Sequence, residues 1–189
     1  HSLALEGGAC EFQRKRVNTM PCCDAIGTQA YPQTYYGLDW EQTYTYLEAR
    51  AHMMSAAAMG AVAFQKGLGA IHSLSHPVGA VFDTHHGLTN AVFMPYVLAF
   101  NRDAIDEKLT RLAKWLEIGD GFDDVQKWVL DLRKEFDIPH TAADLGVDGS
   151  RLDELSKMAA EDPTAGGNPV HVGEAEMRQM YDAAMAGTL

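Results

Sequence analysis

Apolar residues recur about every three to four positions from Leu47 to Leu189, which places them along one face of successive α-helices. In residues 103–117 the apolar residues that share a face are Ile105, Leu109, Leu112, Ala113 and Leu116. The same stretch contains no convincing βαβ unit. We therefore predict an all-α fold, a bundle of about six to eight helices packed around a hairpin formed by residues 53–100.

The remaining helices follow from capping residues and apolar spacing. They are one from Asp39 to about Gly67, one after Gly87 with a kink at Pro95, and further ones over 122–136, over 150–160 and from about Gly173. Residues 1–46 contain scattered Gly and Pro and show no sustained period. We therefore predict an irregular N-terminal segment, 1–46, followed by a helical domain, 47–189.

Composition disfavours several classes of function. The 189 residues are 47% hydrophobic and 22% charged, which is typical of a globular domain. A net charge of −11 disfavours nucleic acid and anionic membrane surfaces as partners, because both need clustered Lys and Arg. No apolar stretch is long enough to span a bilayer. The three cysteines do not suggest a disulfide framework, so we expect a cytoplasmic protein.

Histidine is concentrated in one short segment, GLGAIHSLSHPVGAVFDTHHG, residues 67–87. On a helix, His72 and His76 at i and i+4 have Cβ atoms only ~5–6 Å apart. A turn followed by a second helix would bring His86 back toward His72. Three imidazole ligands suit Fe²⁺, Zn²⁺, Co²⁺ or Ni²⁺ and do not suit Mg²⁺ or Ca²⁺ alone. The spacing is therefore compatible with a metal site and equally with hydrogen-bonded core histidines.

The other histidines have simpler interpretations. His85 points away from its neighbour His86, so we expect it to have a supporting or structural role. His52, His140 and His171 are isolated in the sequence, and we expect ordinary structural contacts for them.

Two glycines precede the histidine segment, at Gly67 and Gly69. They do not form a dinucleotide-binding loop, because no strand precedes them and the third glycine of that motif is missing. We expect them instead to allow close approach of the backbone to a neighbouring element.

Two segments carry a resemblance to a known family. The first is G-x-x-H-x-x-x-H-x-x-G from Gly69, followed by His86-Gly87 and then by P-x-x-x-x-x-N from Pro95 to Asn101. The other is DPTAGGNP, residues 162–169. From about Leu47 onward the chain resembles the iron-containing (group III) alcohol dehydrogenases.

The resemblance implies the helical C-terminal domain of a dehydroquinate synthase-like fold, which in the family follows an α/β domain that binds NAD(P). It implies Fe²⁺ as the metal, with Zn²⁺ as an alternative. His72 and His86 correspond to two of the family's metal ligands. His76 corresponds to a histidine that does not bind the metal and lies near the nicotinamide and the reacting carbon. A small alcohol or aldehyde would be the substrate, and the protein would be a homo-oligomer, a dimer or larger.

The sequence departs from the family pattern in two ways. It contains no nucleotide-binding domain, and it contains no D-x-x-x-H motif for the remaining metal ligands. His1 would be the last residue of such a motif if the chain were a fragment of a longer protein. Two alternatives remain: a non-catalytic helical module that keeps the fold, or a different histidine–metal enzyme. For the latter, Asp83 is the carboxylate candidate beside the histidines.

Overall fold

The computed structural model describes residues 40–189, with side chains described from Leu47 onward. The chain divides into two units, residues 1–66 and 67–189. The described part of the first unit is helix α1 (Trp40–Phe64). The second unit contains α2 (Ala70–Phe82), α3 (His86–Phe100), α4 (Arg102–Trp115), α5 (Phe122–Glu135), α6 (Leu152–Glu161) and α7 (Glu174–Ala186). No strand occurs in residues 40–189, so the predicted all-α fold is confirmed.

Helix α1 begins directly after Asp39, as predicted from that capping residue. Its 25 residues are rich in Ala and Met, which are strong helix formers. After α1 the chain passes through Gly67, whose φ of +108° lies in the region that favours glycine. None of the described helices combines the length and the apolar character needed to cross a bilayer.

The turn between α2 and α3 is built from residues of the histidine segment. Asp83 ends α2 in a left-handed conformation (φ 54°) and donates its N–H to the Gly79 carbonyl. His85 is the N-cap of α3, and its Nδ1 accepts the Leu88 N–H at 3.3 Å. Helix α3 therefore begins at His86, and the structural role predicted for His85 is confirmed.

Both helices of this pair contain a proline. Helix α2 continues past Pro77 to Phe82, and α3 continues past Pro95 to Phe100. Each proline lacks an N–H donor and interrupts the helical hydrogen bonding. Both prolines are buried, so packing against neighbouring helices offsets this loss.

Helices α4 to α7 match their predicted positions to within two residues. An acidic side chain stabilises the start of each of α5 and α7 by accepting a backbone hydrogen bond. Asp124 accepts the Gly121 N–H at 3.1 Å, and Glu176 accepts the Gly173 N–H at 2.8 Å. The division of the chain at residues 46 and 47 remains a prediction. Residues 1–39, which make up most of the N-terminal segment, lie outside the described residues.

The core of the second unit lies between α2, α3, α6 and α7. Its fully buried large side chains include Leu74, Phe93, Leu155, Met177 and Tyr181. The rings of Phe93 and Tyr181 meet edge to face, with centroids 5.5 Å apart. The Tyr181 hydroxyl donates to the Leu74 carbonyl at 2.6 Å, and burial raises the pKa of this hydroxyl. The same core therefore holds α7 against the helix that carries His72 and His76.

Replacing Tyr181 by Phe removes this buried hydrogen bond and keeps the ring. We expect the free energy of unfolding to fall by about 1 kcal/mol, the usual net contribution of one hydrogen bond. Urea denaturation of wild type and variant, followed by circular dichroism, measures the difference. An unchanged midpoint would contradict the assigned contribution of this hydroxyl.

The segment between α6 and α7, residues 162–173, is here called the anchored loop. The side-chain amides of Asn168 and Asn101 form a reciprocal pair, with distances of 2.8 and 2.9 Å. Asn168 also accepts the Ala70 N–H at 3.3 Å and donates to the Val170 carbonyl at 2.8 Å. A single side chain thus connects the start of α2, the end of α3 and the loop.

Glycines allow the loop to approach the start of α2 closely. A Cβ on Gly167 would lie 1.9 Å from the Leu68 carbonyl oxygen, and a Cβ on Gly69 would lie 3.2 Å from the Asn168 Cα. The predicted close approach of backbones is confirmed at Gly69 and is wrong at Gly67, where a Cβ would meet no atom within 4 Å. Both contacts bring the DPTAGGNP motif against the histidine helix.

Candidate metal centre

Three imidazole rings converge beside the α2–α3 turn. The ring centroid of His72 lies 5.9 Å from that of His76 and 5.2 Å from that of His86. The rings of His76 and His86 are stacked, with centroids 5.2 Å apart. The helical spacing of His72 and His76 and the tight turn before α3 produce this arrangement. The predicted return of His86 toward His72 is therefore confirmed.

Asn90, one turn after His86 on α3, lies between two of these rings. Its Nδ2 is 3.3 Å from Nε2 of His72 and 3.0 Å from Nε2 of His86. An amide nitrogen only donates hydrogen bonds, so both Nε2 atoms act as acceptors. Two imidazole lone pairs are thus directed at one position. The i+4 spacing from His86 is the sequence signal that could have identified Asn90.

This arrangement provides some, but not all, of the ligands that a transition metal ion needs. Neutral imidazole nitrogens are common ligands of Fe²⁺ and Zn²⁺, and two of them face one point. Asn90 Oδ1, beside that point, is buried and has no hydrogen-bond partner in the structure. Among the described side chains, residues 47–189, however, no group of three or more His, Cys, Asp or Glu is arranged to hold a metal ion. His1, considered above as a third ligand, lies outside the described residues.

The electrostatics of the cluster favour neutral rings at His72 and His86. Partial burial lowers the pKa of His72, and the neighbouring His86 and His76 lower it further. Partial burial also lowers the pKa of His86, with repulsion from His76 acting in the same direction. A neutral ring keeps the lone pair that a metal ion or a proton would occupy.

A carboxylate that the sequence analysis missed completes the cluster. Asp162 Oδ2 lies 2.8 Å from Nδ1 of His76, and its Oδ1 accepts both the N–H and the hydroxyl of Thr164. Burial alone would raise the pKa of Asp162, but the hydrogen bonds from Thr164 and His76 outweigh it and lower that pKa. Asp83, the carboxylate candidate for a different histidine–metal enzyme, ends α2 with an exposed side chain, and the carboxylate that contacts His76 is Asp162. Asp162 lies 86 positions from His76, too far for any local spacing rule to pair them.

The isolated histidines are not among the three converging rings. His140 accepts a hydrogen bond from the buried Arg133, and its Nε2 faces the Gly187 carbonyl at 3.3 Å. This confirms the structural role expected for His140. His52 and His171 are exposed.

Comparison of the sequence with known proteins gives a consistent result. The family model described as "Fe-containing alcohol dehydrogenase family, C-terminal" matches residues 16–185. The 4-hydroxybutyrate dehydrogenase of Cupriavidus necator is 39% identical over 147 residues, which cover 73% of this chain and 38% of that protein. The NADPH-dependent butanol dehydrogenase of Clostridium saccharobutylicum is 31% identical over 151 residues, which cover 75% of this chain and 39% of that protein.

Solved structures show the same likeness. A crystal structure of 1,3-propanediol oxidoreductase matches with a TM-score of 0.70 and 28% identity, covering 74% of this chain and 38% of that one. The iron-containing alcohol dehydrogenase of Thermococcus thioreducens matches with a TM-score of 0.67 and 29% identity, covering 77% of this chain and 40% of that one. The chain thus spans about two fifths of the length of these proteins (38–40%).

Proposed function

Because this chain belongs to the Fe-containing alcohol dehydrogenase family and corresponds to its C-terminal domain, we propose that it is the metal-binding part of an NAD(P)-linked alcohol dehydrogenase. The reaction would interconvert small alcohols and aldehydes by hydride transfer. Fe²⁺ is the proposed metal, and Zn²⁺ accepts the same ligand types.

The observation that carries the proposal is the convergence of the Nε2 atoms of His72 and His86 on one position. A pair of core histidines that only support the fold would not need lone pairs directed at the same point. Asn90 occupies that position with its amide group. The buried Oδ1 of this amide has no hydrogen-bond partner, so the site lacks a group that would satisfy this oxygen.

Each residue then has a role set by its surroundings. His72 and His86 would hold the metal through Nε2. When bound, a ferrous or zinc ion would supply Lewis acidity toward the alcohol oxygen, and a nicotinamide would supply the hydride acceptor. His76, whose Nδ1 faces Asp162, would accept or return the alcohol proton at Nε2. The stacking of His76 on His86 keeps this ring beside the metal-binding pair.

Further parts of the enzyme are assigned to regions outside the described residues. Two imidazoles are fewer than the three protein ligands that catalytic zinc sites typically have. We therefore expect water to complete the metal coordination in the 189-residue chain, and we assign the nucleotide-binding site to another part of the protein. The 4-hydroxybutyrate dehydrogenase, of which the match covers 38%, has ample length for such a site.

The proposal is tested by metal binding to the 189-residue chain, purified without a polyhistidine tag. Titration with Fe²⁺ under anaerobic conditions, and with Zn²⁺, measures affinity, and elemental analysis after dialysis measures retention. We expect His72→Ala and His86→Ala each to weaken binding at least ~10-fold, because even the loss of a supporting partner costs ~10–100-fold. His76→Gln should bind the metal as wild type does.

His171→Gln is the matched control, since it removes an exposed imidazole that is not one of the three converging rings. Equal binding by wild type, His72→Ala and His171→Gln would contradict the proposed site. No binding by wild type would favour the alternative, a helical module that keeps the family fold without its chemistry. The finding that the described residues contain no complete set of ligands is the observation that supports this alternative.

A further inference from the structure

We propose that Asp162 is a positioning residue that holds His76 in the Nδ1–H tautomer and leaves Nε2 as its proton-accepting nitrogen. This role in the reaction rests on the proposed function. The tautomer itself is a property of the metal-free chain and can be measured independently.

The Asp162 carboxylate is held so that only one oxygen can face the ring. Oδ1 accepts the Thr164 N–H at 2.8 Å and the Thr164 hydroxyl at 2.5 Å. Oδ2 is thereby directed at Nδ1 of His76, 2.8 Å away. The Asp162 side chain is only 13% exposed, so little water competes for this contact. An ionised carboxylate only accepts hydrogen bonds, so the proton between the two groups lies on Nδ1.

The position of Asp162 is set by the fold. It starts the anchored loop, which the Asn168–Asn101 amide pair and the close approach of Gly167 to Leu68 fix against the start of α2. The His76 side chain is 40% exposed and has room to rotate unless a partner restrains it. The carboxylate is the charged group that orients this ring.

The tautomer matters because only one ring nitrogen can take the proton of a substrate. Which nitrogen carries hydrogen is set by the hydrogen bond that the other one makes. Free neutral histidine favours Nε2–H, the form that could not accept a proton at Nε2. In a Ser–His–Asp hydrolase, changing the orienting Asp to Asn selects the wrong tautomer and lowers kcat ~10⁴-fold.

Asp162→Asn provides a sharp test because Thr164 decides how the new amide is oriented. Thr164 offers two donors, so the amide oxygen faces Thr164 and the amide NH₂ faces His76. Nδ1 of His76 must then accept, and the ring changes to Nε2–H. Glu161→Gln is the matched control, because it makes the same chemical change at the adjacent exposed position.

The experiment is long-range ¹H–¹⁵N correlation NMR of the imidazoles in the ¹⁵N-labelled 189-residue chain, treated with chelator. Spectra are recorded over a pH series that extends about two units above the ordinary histidine pKa of ~6.5, and the tautomer is read where the imidazole shifts no longer change with pH. His76→Gln identifies the His76 signals. We expect protonated Nδ1 and unprotonated Nε2 in wild type and in Glu161→Gln, and the reverse in Asp162→Asn.

An Nε2–H tautomer at His76 in wild type overturns the proposal, as does the same tautomer in wild type and Asp162→Asn. If Asp162→Asn does not fold, the wild-type spectrum alone still decides. Because the measurement is made without metal, its outcome is independent of the metal titration. Failure of metal binding would overturn the proposed function and leave the Asp162–His76 pairing intact.

Discussion

Gly167→Ala is expected to lower the free energy of unfolding by about 3 kcal/mol or more, the upper part of the range for overpacking. The added Cβ would lie 1.9 Å from the Leu68 carbonyl oxygen, well inside van der Waals contact. That oxygen belongs to the backbone, so no side-chain rotation can relieve the overlap. The anchored loop or the segment before α2 must move, and Tm should fall by roughly 10 °C. Thermal unfolding followed by circular dichroism measures this shift.

Gly166→Ala is the matched control for this change. Gly166 belongs to the same short 3₁₀ helix (Ala165–Gly167), and a Cβ there meets no atom within 4 Å. The free energy of unfolding of Gly166→Ala should lie within about 1 kcal/mol of the wild-type value. It should be equal or slightly higher, because Ala restricts the unfolded chain more than Gly does. If both variants unfold at the same temperature, the close contact with Leu68 does not constrain the loop.

Asn168→Asp is expected to destabilise the second unit by about 3 kcal/mol at neutral pH. The wild-type Nδ2 donates to Asn101 Oδ1 and to the Val170 carbonyl, both at 2.8 Å. The Val170 carbonyl can only accept and the Ala70 N–H can only donate, so the orientation of the Asn168 amide is determined. A carboxylate oxygen in place of Nδ2 would face two acceptors. Urea denaturation across a pH series tests this.

The loss of stability caused by Asn168→Asp should become smaller as the pH falls. A carboxyl group placed against two acceptors has a folded-state pKa above its unfolded value of about 3.9. Its protonated form donates a hydrogen bond again, so stability recovers as the pH falls through the raised folded-state pKa. Gln179→Glu adds the same charge at an exposed position of α7 and is the control for net charge. A loss of stability that does not change with pH would contradict the expected contacts of the new carboxylate.

The helices could be predicted from the sequence because their signals are local. Apolar spacing in residues 122–136 and the break before Glu174 appear in the structure nearly where the pattern indicates. The convergence of His72, His76 and His86 also follows from short-range geometry, i and i+4 on one helix and a tight turn before the next. These features depend on bonds and contacts within about twenty residues of each other, which the order of residues encodes directly.

The partners of this cluster could not be predicted in the same way. Asp162 pairs with His76 across 86 positions, and Asn168 pairs with Asn101 across 67. The DPTAGGNP motif was recognised in the sequence, but its contact with the histidine helix depends on how α6 and α7 pack on α2 and α3. The residue order alone determined the helices, the turn and the group of imidazoles. Tertiary packing alone decided which carboxylate orients His76, because distant side chains are brought together only when the helices bury their apolar faces in a common core.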